Sequence, residues 1–247
     1  MGPESVAEVT SSDVIVVIPA WNEEQRIAAT VRAAAALGRV VVVDDGSRDA
    51  TARLAREAGA QVFTARRNRG KGAAMAWIRS PHVPKARYVL FLDADLEDSA
   101  ANAAPLVEAV RSGDCDMAIA VPPPQPGGGH GFVVRLARDG IKRLTGFEAT
   151  APLSGQRCLT WDAAQAVRYA PRFGVEVGLT IDLLRAGYRV AEVPSDLRHR
   201  VTGADWRGQL HRARQYRDVW LALLSARVRS GVESSGVISP SRRRRSR

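Results

Sequence analysis

Three apolar runs of strand length carry no polar alternation, and each stops abruptly at polar residues: DVIVVIPA (Asp13–Ala20), RVVVVDD (Arg39–Asp45) and YVLFLDADLED (Tyr88–Asp98). A strand that is apolar on both faces has to be covered on both faces. That is the situation of central strands in parallel α/β sheets, whose ligands gather at the carboxyl ends of the strands. The third run ends in Asp93 and Asp95, with Glu97 and Asp98 following. Carboxylates this close repel one another unless a cation joins them, and hard oxygen donors suit Mg²⁺ or Mn²⁺, which commonly bridge phosphate oxygens. A metal-diphosphate site is expected there; the plainer alternative is a solvated acidic loop.

The segments between these runs read as helices. Asn22 can cap one through Leu37, and Ser47 or Asp49 one to Ala58 ahead of a short strand, Gln61–Ala65. Helices over Arg69–Arg79 and Pro105–Ser112 and a strand over Asp116–Val121 complete an alternating first half. Strand-helix alternation of this kind implies an α/β fold, a mostly parallel sheet with helices on both faces. The Pro- and Gly-rich Pro122–Gly131 interrupts it as a loop that could close over a ligand. Helices over Phe132–Leu144, Asp162–Tyr169 (capped by Asp162) and Val175–Ala186 follow, with strands over Ser154–Thr160 and Tyr188–Val193. A long helix, Asp205–Arg229, places Trp206, Leu210, Ala213, Trp220, Leu223 and Leu224 broadly on one side. The expected organisation is a disordered start (1–12), one α/β domain (13–200), a basic amphipathic helix (201–229) and a disordered Arg-rich tail (230–247).

Composition narrows the functional classes. No window approaches the roughly 20 apolar residues of a membrane span, and the first twelve residues are too polar for a secretory signal, so a cytoplasmic protein is expected. Cys115 and Cys158 lack metal-ligand spacing and suit two separate thiols. The net charge is +10, but 196–247 carries thirteen arginines against four acids, so nine of those charges lie there. Such a segment suits peripheral contact with an anionic membrane, or simple solubility; no nucleic-acid recognition motif accompanies it.

Five strand-end motifs, in this order and spacing, resemble glycosyltransferase family 2: VVIPAWNEE (Val16–Glu24), VVVDDGSRDAT (Val41–Thr51), NRGKGAA (Asn68–Ala74), LDADLED (Leu92–Asp98) and PLSGQR (Pro152–Arg157). The resemblance spans roughly Val14–His199. Within the family it is similar to the short polyprenyl-phosphate sugar synthases, and also, through FGVEVGLTIDLL (Phe173–Leu184) and LRHR (Leu197–Arg200), to glucosyl-3-phosphoglycerate synthase. It implies a GT-A fold and transfer of a hexose, with UDP-glucose the expected donor. The acceptor it implies bears a phosphate: polyprenyl phosphate first, 3-phosphoglycerate second. Oligomeric state and stereochemical outcome stay open.

What the resemblance implies for individual residues has physical support. Pro19, Asn22, Glu23 and Ser47 would frame base and ribose, and Asp45 would accept a base N–H once Ser47 and Asp49 take over the capping that Asp44 and Asp45 could also do. Lys71, in GKG, would meet the diphosphate; alternatively it is a solvated lysine. Asp93 and Asp95 match the DxD motif and would hold Mg²⁺ or Mn²⁺, with His199 completing the shell unless it is an ordinary surface histidine. Glu176 would orient the acceptor or take its proton; otherwise it is an acid favoured by a helix start. Arg135, near Arg138, Lys142 and Arg143, and Arg157 would bind the acceptor's phosphate, unless the helical arginines merely form a solvated face. Two other classes compete: a nucleotidyltransferase, whose Gly-rich loop after the first strand is missing from PAWNEE, and a non-catalytic membrane or nucleic-acid binding protein using the tail.

Overall fold

The computed structural model describes residues 13–123, 131–170, 174–198 and 216–227. Seven strands form one sheet: β1 (Val14–Ala20), β2 (Arg39–Asp44), β3 (Gln61–Thr64), β4 (Tyr88–Phe91), β5 (Met117–Val121), β6 (Arg157–Thr160) and β7 (Val190–Pro194), in the order β3-β2-β1-β4-β6-β5-β7. All pairings are parallel except those of β6, which runs against β4 and β5.

The apolar runs behave as two-sided strands. Alternate residues of β1 point to opposite layers: Val14, Val16 and Ile18 pack with Ile27 and Val31 of α1 (Ile27–Ala34) and Leu106 of α4 (Ala104–Arg111). Ile15 and Val17 pack instead with Met75 of α3 (Lys71–Met75), Ala163 of α6 (Trp161–Ala166) and Leu179 of α7 (Val175–Arg185). Burying one such side chain fully contributes roughly 1.5–3 kcal/mol, which is why continuous Val and Ile runs occupy the middle of the sheet. Helix α2 (Thr51–Glu57) lies beside α1, and Ala55 joins the first layer. A third cluster joins α5 (Phe132–Thr145), through Ala137 and Ile141, to Val177 and Ile181 of α7 and to Val219 and Ala226 of a last helix, α8, at 216–227. Cys115 and Cys158 are buried free thiols, and burial pushes both upward in pKa.

Several expected helix starts are corrected. Asn22 does not cap α1: it sits at φ 56°, and the helix begins only at Ile27. Neither Ser47 nor Asp49 caps α2, which opens at Thr51 after Ala50; Asp49 instead accepts from the Thr51 amide and hydroxyl. The 69–79 segment is a five-residue α3 followed by a 3₁₀ turn, Ala76–Arg79. Helix α6 is capped by Thr160, whose hydroxyl accepts from Ala163 N, rather than by Asp162.

The long C-terminal helix lies partly outside the described residues, as do 124–130 of the Pro/Gly loop and the segments expected to be disordered, 1–12 and 230–247. Within 216–227 the expected stripe is rotated. Leu223 packs over Gly140 of α5 as expected, but Val219, Ala222 and Ala226 make the rest of the inner face, and Trp220 and Leu224 are exposed.

Candidate active site

The reversal of β6 builds the centre of the site. Phe91 of β4 pairs with Arg157 of β6, so the residues that leave β4 lie beside those that enter β6. Asp93 therefore meets Ser154–Gln156. A parallel strand here would have presented its far end.

Four side chains converge on this point. Lys71, at the start of α3, places Nζ 2.6 Å from Asp93 Oδ1 and 2.9 Å from Oε1 of Glu176, which stands in the first turn of α7. Gln156 Nε2 donates to Asp93 Oδ2 at 2.7 Å. Burial alone would depress the Lys71 ammonium, but Asp93 and Glu176 outweigh it and hold the pKa well above the ordinary lysine range. Gly155 makes room for this cluster, since a Cβ there would lie 2.3 Å from Lys71 Nζ and 2.7 Å from Asp93 Oδ2. Sequence reasoning passed over Gly155 and Gln156, although both lie inside the SGQR motif, because the direction of the strand that follows them cannot be read from the motif.

The loops after β1 and β2 are knitted together by residues expected to meet the donor. Asn22 N donates to Ser47 Oγ and Asn22 Oδ1 accepts from Arg48 N, both at 2.9 Å, while Ser47 N donates to Asp44 Oδ1. Pro19 is half-buried near the end of β1. Asp45 also serves the fold: its two oxygens accept from the backbone amides of Arg69 and Gly70 at 2.6–2.9 Å. Gly70 adopts φ 91°, a left-handed conformation that glycine takes without strain, and it turns the chain so that α3 starts with Lys71 aimed at the acids. Asp45 thus positions the lysine loop.

Glu23, after β1, and Asp95, after β4, lie within electrostatic reach of each other. Burial raises the Glu23 pKa, and the neighbouring Asp95 carboxylate raises it further against the opposing Arg26. Among the described residues, no three His, Cys, Asp or Glu side chains form a ready-made metal cage. Mg²⁺ and Mn²⁺ do not require one, since Mg²⁺ is usually held by one or two carboxylates together with substrate phosphates. The two aspartates with a repelled glutamate beside them are a donor set of that kind. His199 lies outside the described residues.

The two arginines assigned to the acceptor part company. Arg157 is wholly buried: Nε donates to Ser154 O, Nη1 to Thr180 Oγ1 and Nη2 to Pro152 O. Burial pulls its guanidinium down to about 10, against the pull of Glu176 and Glu192. With no surface to offer an acceptor, it is a strut beneath the 152–157 loop, which corrects that expectation. Arg135 is exposed on α5, in a groove with Phe132, Arg143, Trp220, Leu224 and Arg227 that shares no lining residue with the acid cluster.

Comparison with known proteins agrees with this geometry. Residues 15–155, more than half of the chain, match the model of the family described as glycosyl transferase family 2. The chain is 28% identical over 201 residues to an uncharacterized protein of Methanocaldococcus jannaschii (76% of this chain, 83% of the relative). It is 29% identical over 207 residues to the glycosyltransferase AglJ of Haloferax volcanii (79% and 66%). A 35% match to an undecaprenyl-phosphate 4-deoxy-4-formamido-L-arabinose transferase of Edwardsiella ictaluri spans only 40% of this chain and 34% of that protein. Among solved structures, glucosyl-3-phosphoglycerate synthase from Mycobacterium tuberculosis, in complex with Mn²⁺, UDP and glucosyl-3-phosphoglycerate, superposes with a TM-score of 0.72 at 28% identity, over 87% of this chain and 80% of that one. The same enzyme has been solved with Mg²⁺ and UDP. With a GT-A sheet whose acid-tipped central strand falls inside the matched span, this chain belongs to glycosyltransferase family 2 and is a glycosyltransferase.

Proposed function

We propose that the chain transfers a hexose, with glucose from UDP-glucose the leading donor, to a phosphate-bearing acceptor in a reaction that needs Mg²⁺ or Mn²⁺. The observation that carries this reading is the cluster of Lys71, Asp93, Gln156 and Glu176 at the carboxyl end of β4. Asp93 and Asp95 would hold the divalent cation, which offsets the charge gathering on the leaving nucleoside diphosphate. Lys71 adds a fixed positive charge beside the same diphosphate, in a pocket where its protonation is secure. The anomeric carbon gains a bond to the acceptor oxygen and loses its bond to the diphosphate, which departs with the electron pair.

The acceptor decides what Glu176 does. A phosphoglycerate-type acceptor attacks through a hydroxyl and must lose a proton, for which the buried Glu176 is the candidate. A phosphate monoester is already anionic near neutral pH, and Glu176 would then only steer Lys71. The similarity to the phosphoglycerate enzyme over most of both chains supports the first acceptor and moves it ahead of polyprenyl phosphate. The second is supported by the shorter match to an undecaprenyl-phosphate transferase and by exposed Phe132 and Trp220 among arginines on α5 and α8, a surface suited to an anionic membrane. Among the described residues no helix is long and apolar enough to cross a membrane.

The test is nucleotide release from UDP- and GDP-sugars, with Mn²⁺, Mg²⁺ or EDTA, in the presence of 3-phosphoglycerate or polyprenyl phosphate. Metal-dependent UDP release raised by one acceptor, and lost in Asp93→Asn/Asp95→Asn, is the expected result. Release unchanged by EDTA and by the double substitution would overturn the reading.

A further inference from the structure

Gln156 is 1% exposed, and a primary amide removed from water has to find partners or incur a cost of a few kcal/mol. Its partners fix its orientation. Asp93 Oδ2 is an acceptor, so the nitrogen faces it, while Ser154 Oγ donates to the amide oxygen at 3.3 Å and the backbone carbonyl of Gln156 receives Ala120 N. The two oxygens of Asp93 are thereby given to two different donors, Oδ1 to Lys71 and Oδ2 to Gln156.

We propose that Gln156 is a positioning residue for Asp93: a neutral donor that locks the rotamer of a metal-binding carboxylate without cancelling its charge. This rests on the metal-dependent reading above. Lys71 and Gln156 differ in what they do to an arriving cation. The ammonium competes with it for the negative charge, whereas the neutral amide orients the carboxylate and leaves its charge uncancelled, a carboxylate being able to accept about four hydrogen bonds. Outer partners that fix a metal-binding group are commonly as consequential as the group itself. Gly155 lets Lys71 Nζ and the Asp93 carboxylate lie where a Cβ would stand.

The experiment measures Mn²⁺ binding to the full-length protein with UDP present, from the loss of the free-ion electron paramagnetic resonance signal, alongside a Mn²⁺ titration of nucleotide release. Gln156→Ala and Gln156→Glu are expected to weaken Mn²⁺ binding by roughly 10–100-fold. Activity should return in large part at saturating Mn²⁺ for Gln156→Ala and less so for Gln156→Glu, whose second carboxylate repels Asp93. Gln156→Glu keeps the length and volume of the side chain, so it serves as the test if the alanine variant fails to melt cooperatively. Wild-type Mn²⁺ affinity in a folded variant overturns the inference alone. No Mn²⁺ binding by the wild-type protein with UDP overturns the metal reading and this inference with it.

Discussion

Lys71 pairs with two carboxylates at once, and its removal leaves Asp93 and Glu176 facing each other across a partly buried gap. Stripping one partner from a fully buried ion pair costs about 3–5 kcal/mol. The partial exposure of Lys71 and Asp93 discounts this to roughly 2 kcal/mol for Lys71→Met. Urea denaturation checks the value, and an unchanged midpoint would show that the cluster is not a stabilising one. Because the ammonium's pKa is raised on folding, its stabilisation is complete below the unfolded value near 10.4 and fades only as pH climbs through the still higher folded one. The pH dependence of activity between about 6 and 9 should therefore carry no inflection from this residue. At Gly155 the constraint is space. Gly155→Ala should push Lys71 and Asp93 apart and lower kcat at least about tenfold, with a melting temperature below wild type but above that of Lys71→Met. Equal kcat in the alanine variant would mean that the loop yields instead.

Between elements, the edge strand β7 is tied to β5 by charge as well as by its ladder. Asp116, just before β5, accepts from Arg189 N at 2.8 Å and from the guanidinium at 3.2 Å. The Arg189 hydrogen bonds hold the Asp116 carboxyl below the usual range, with burial opposing. A depressed carboxylate stabilises above its unfolded pKa near 3.9, and that contribution is lost as pH falls through the lower folded value. Asp116→Asn should consequently show a shallower fall in melting temperature between about pH 5 and pH 3 than the wild type. The cap of α6 offers a second check: Thr160→Ala should cost about 1 kcal/mol in equilibrium unfolding, whereas Asp162→Ala should cost less. These elements also show how far the sequence could be read. Val14–Ile18 and Val40–Val43 announce two-sided strands because burial on both faces demands uninterrupted apolar residues, and the acids after β4 mark where that strand leaves the core. Asn22 misled because a side chain able to cap is equally able to tie a loop, as its bonds with Ser47 and Arg48 show, and Asp162 because Thr160, two residues earlier, already caps the helix. Arg157 misled for a related reason: an arginine in a functional motif looks available until its three backbone and hydroxyl partners are in place.

Over the whole molecule, α8 is held to the catalytic domain by Val219, Ala222 and Ala226, with Arg185 Nη1 donating to Ala226 O at 2.7 Å. Val219→Asp should release this helix while leaving the sheet intact, seen as new amide exchange at 216–227 with protection of β1 and β4 retained. A loss of protection throughout would make the helix part of the cooperative core. The reversed strand β6 has its own consequence for how such a chain can vary. The loop between α5 and β6 delivers Gly155 and Gln156 to the site, and a slip of one residue within the strand exchanges its two faces. A slip toward the preceding loop would carry Arg157 to the place of Gln156 and set a second permanent cation against Asp93. Whether Asp93 meets a neutral amide or a second cation thus depends on the register of four residues.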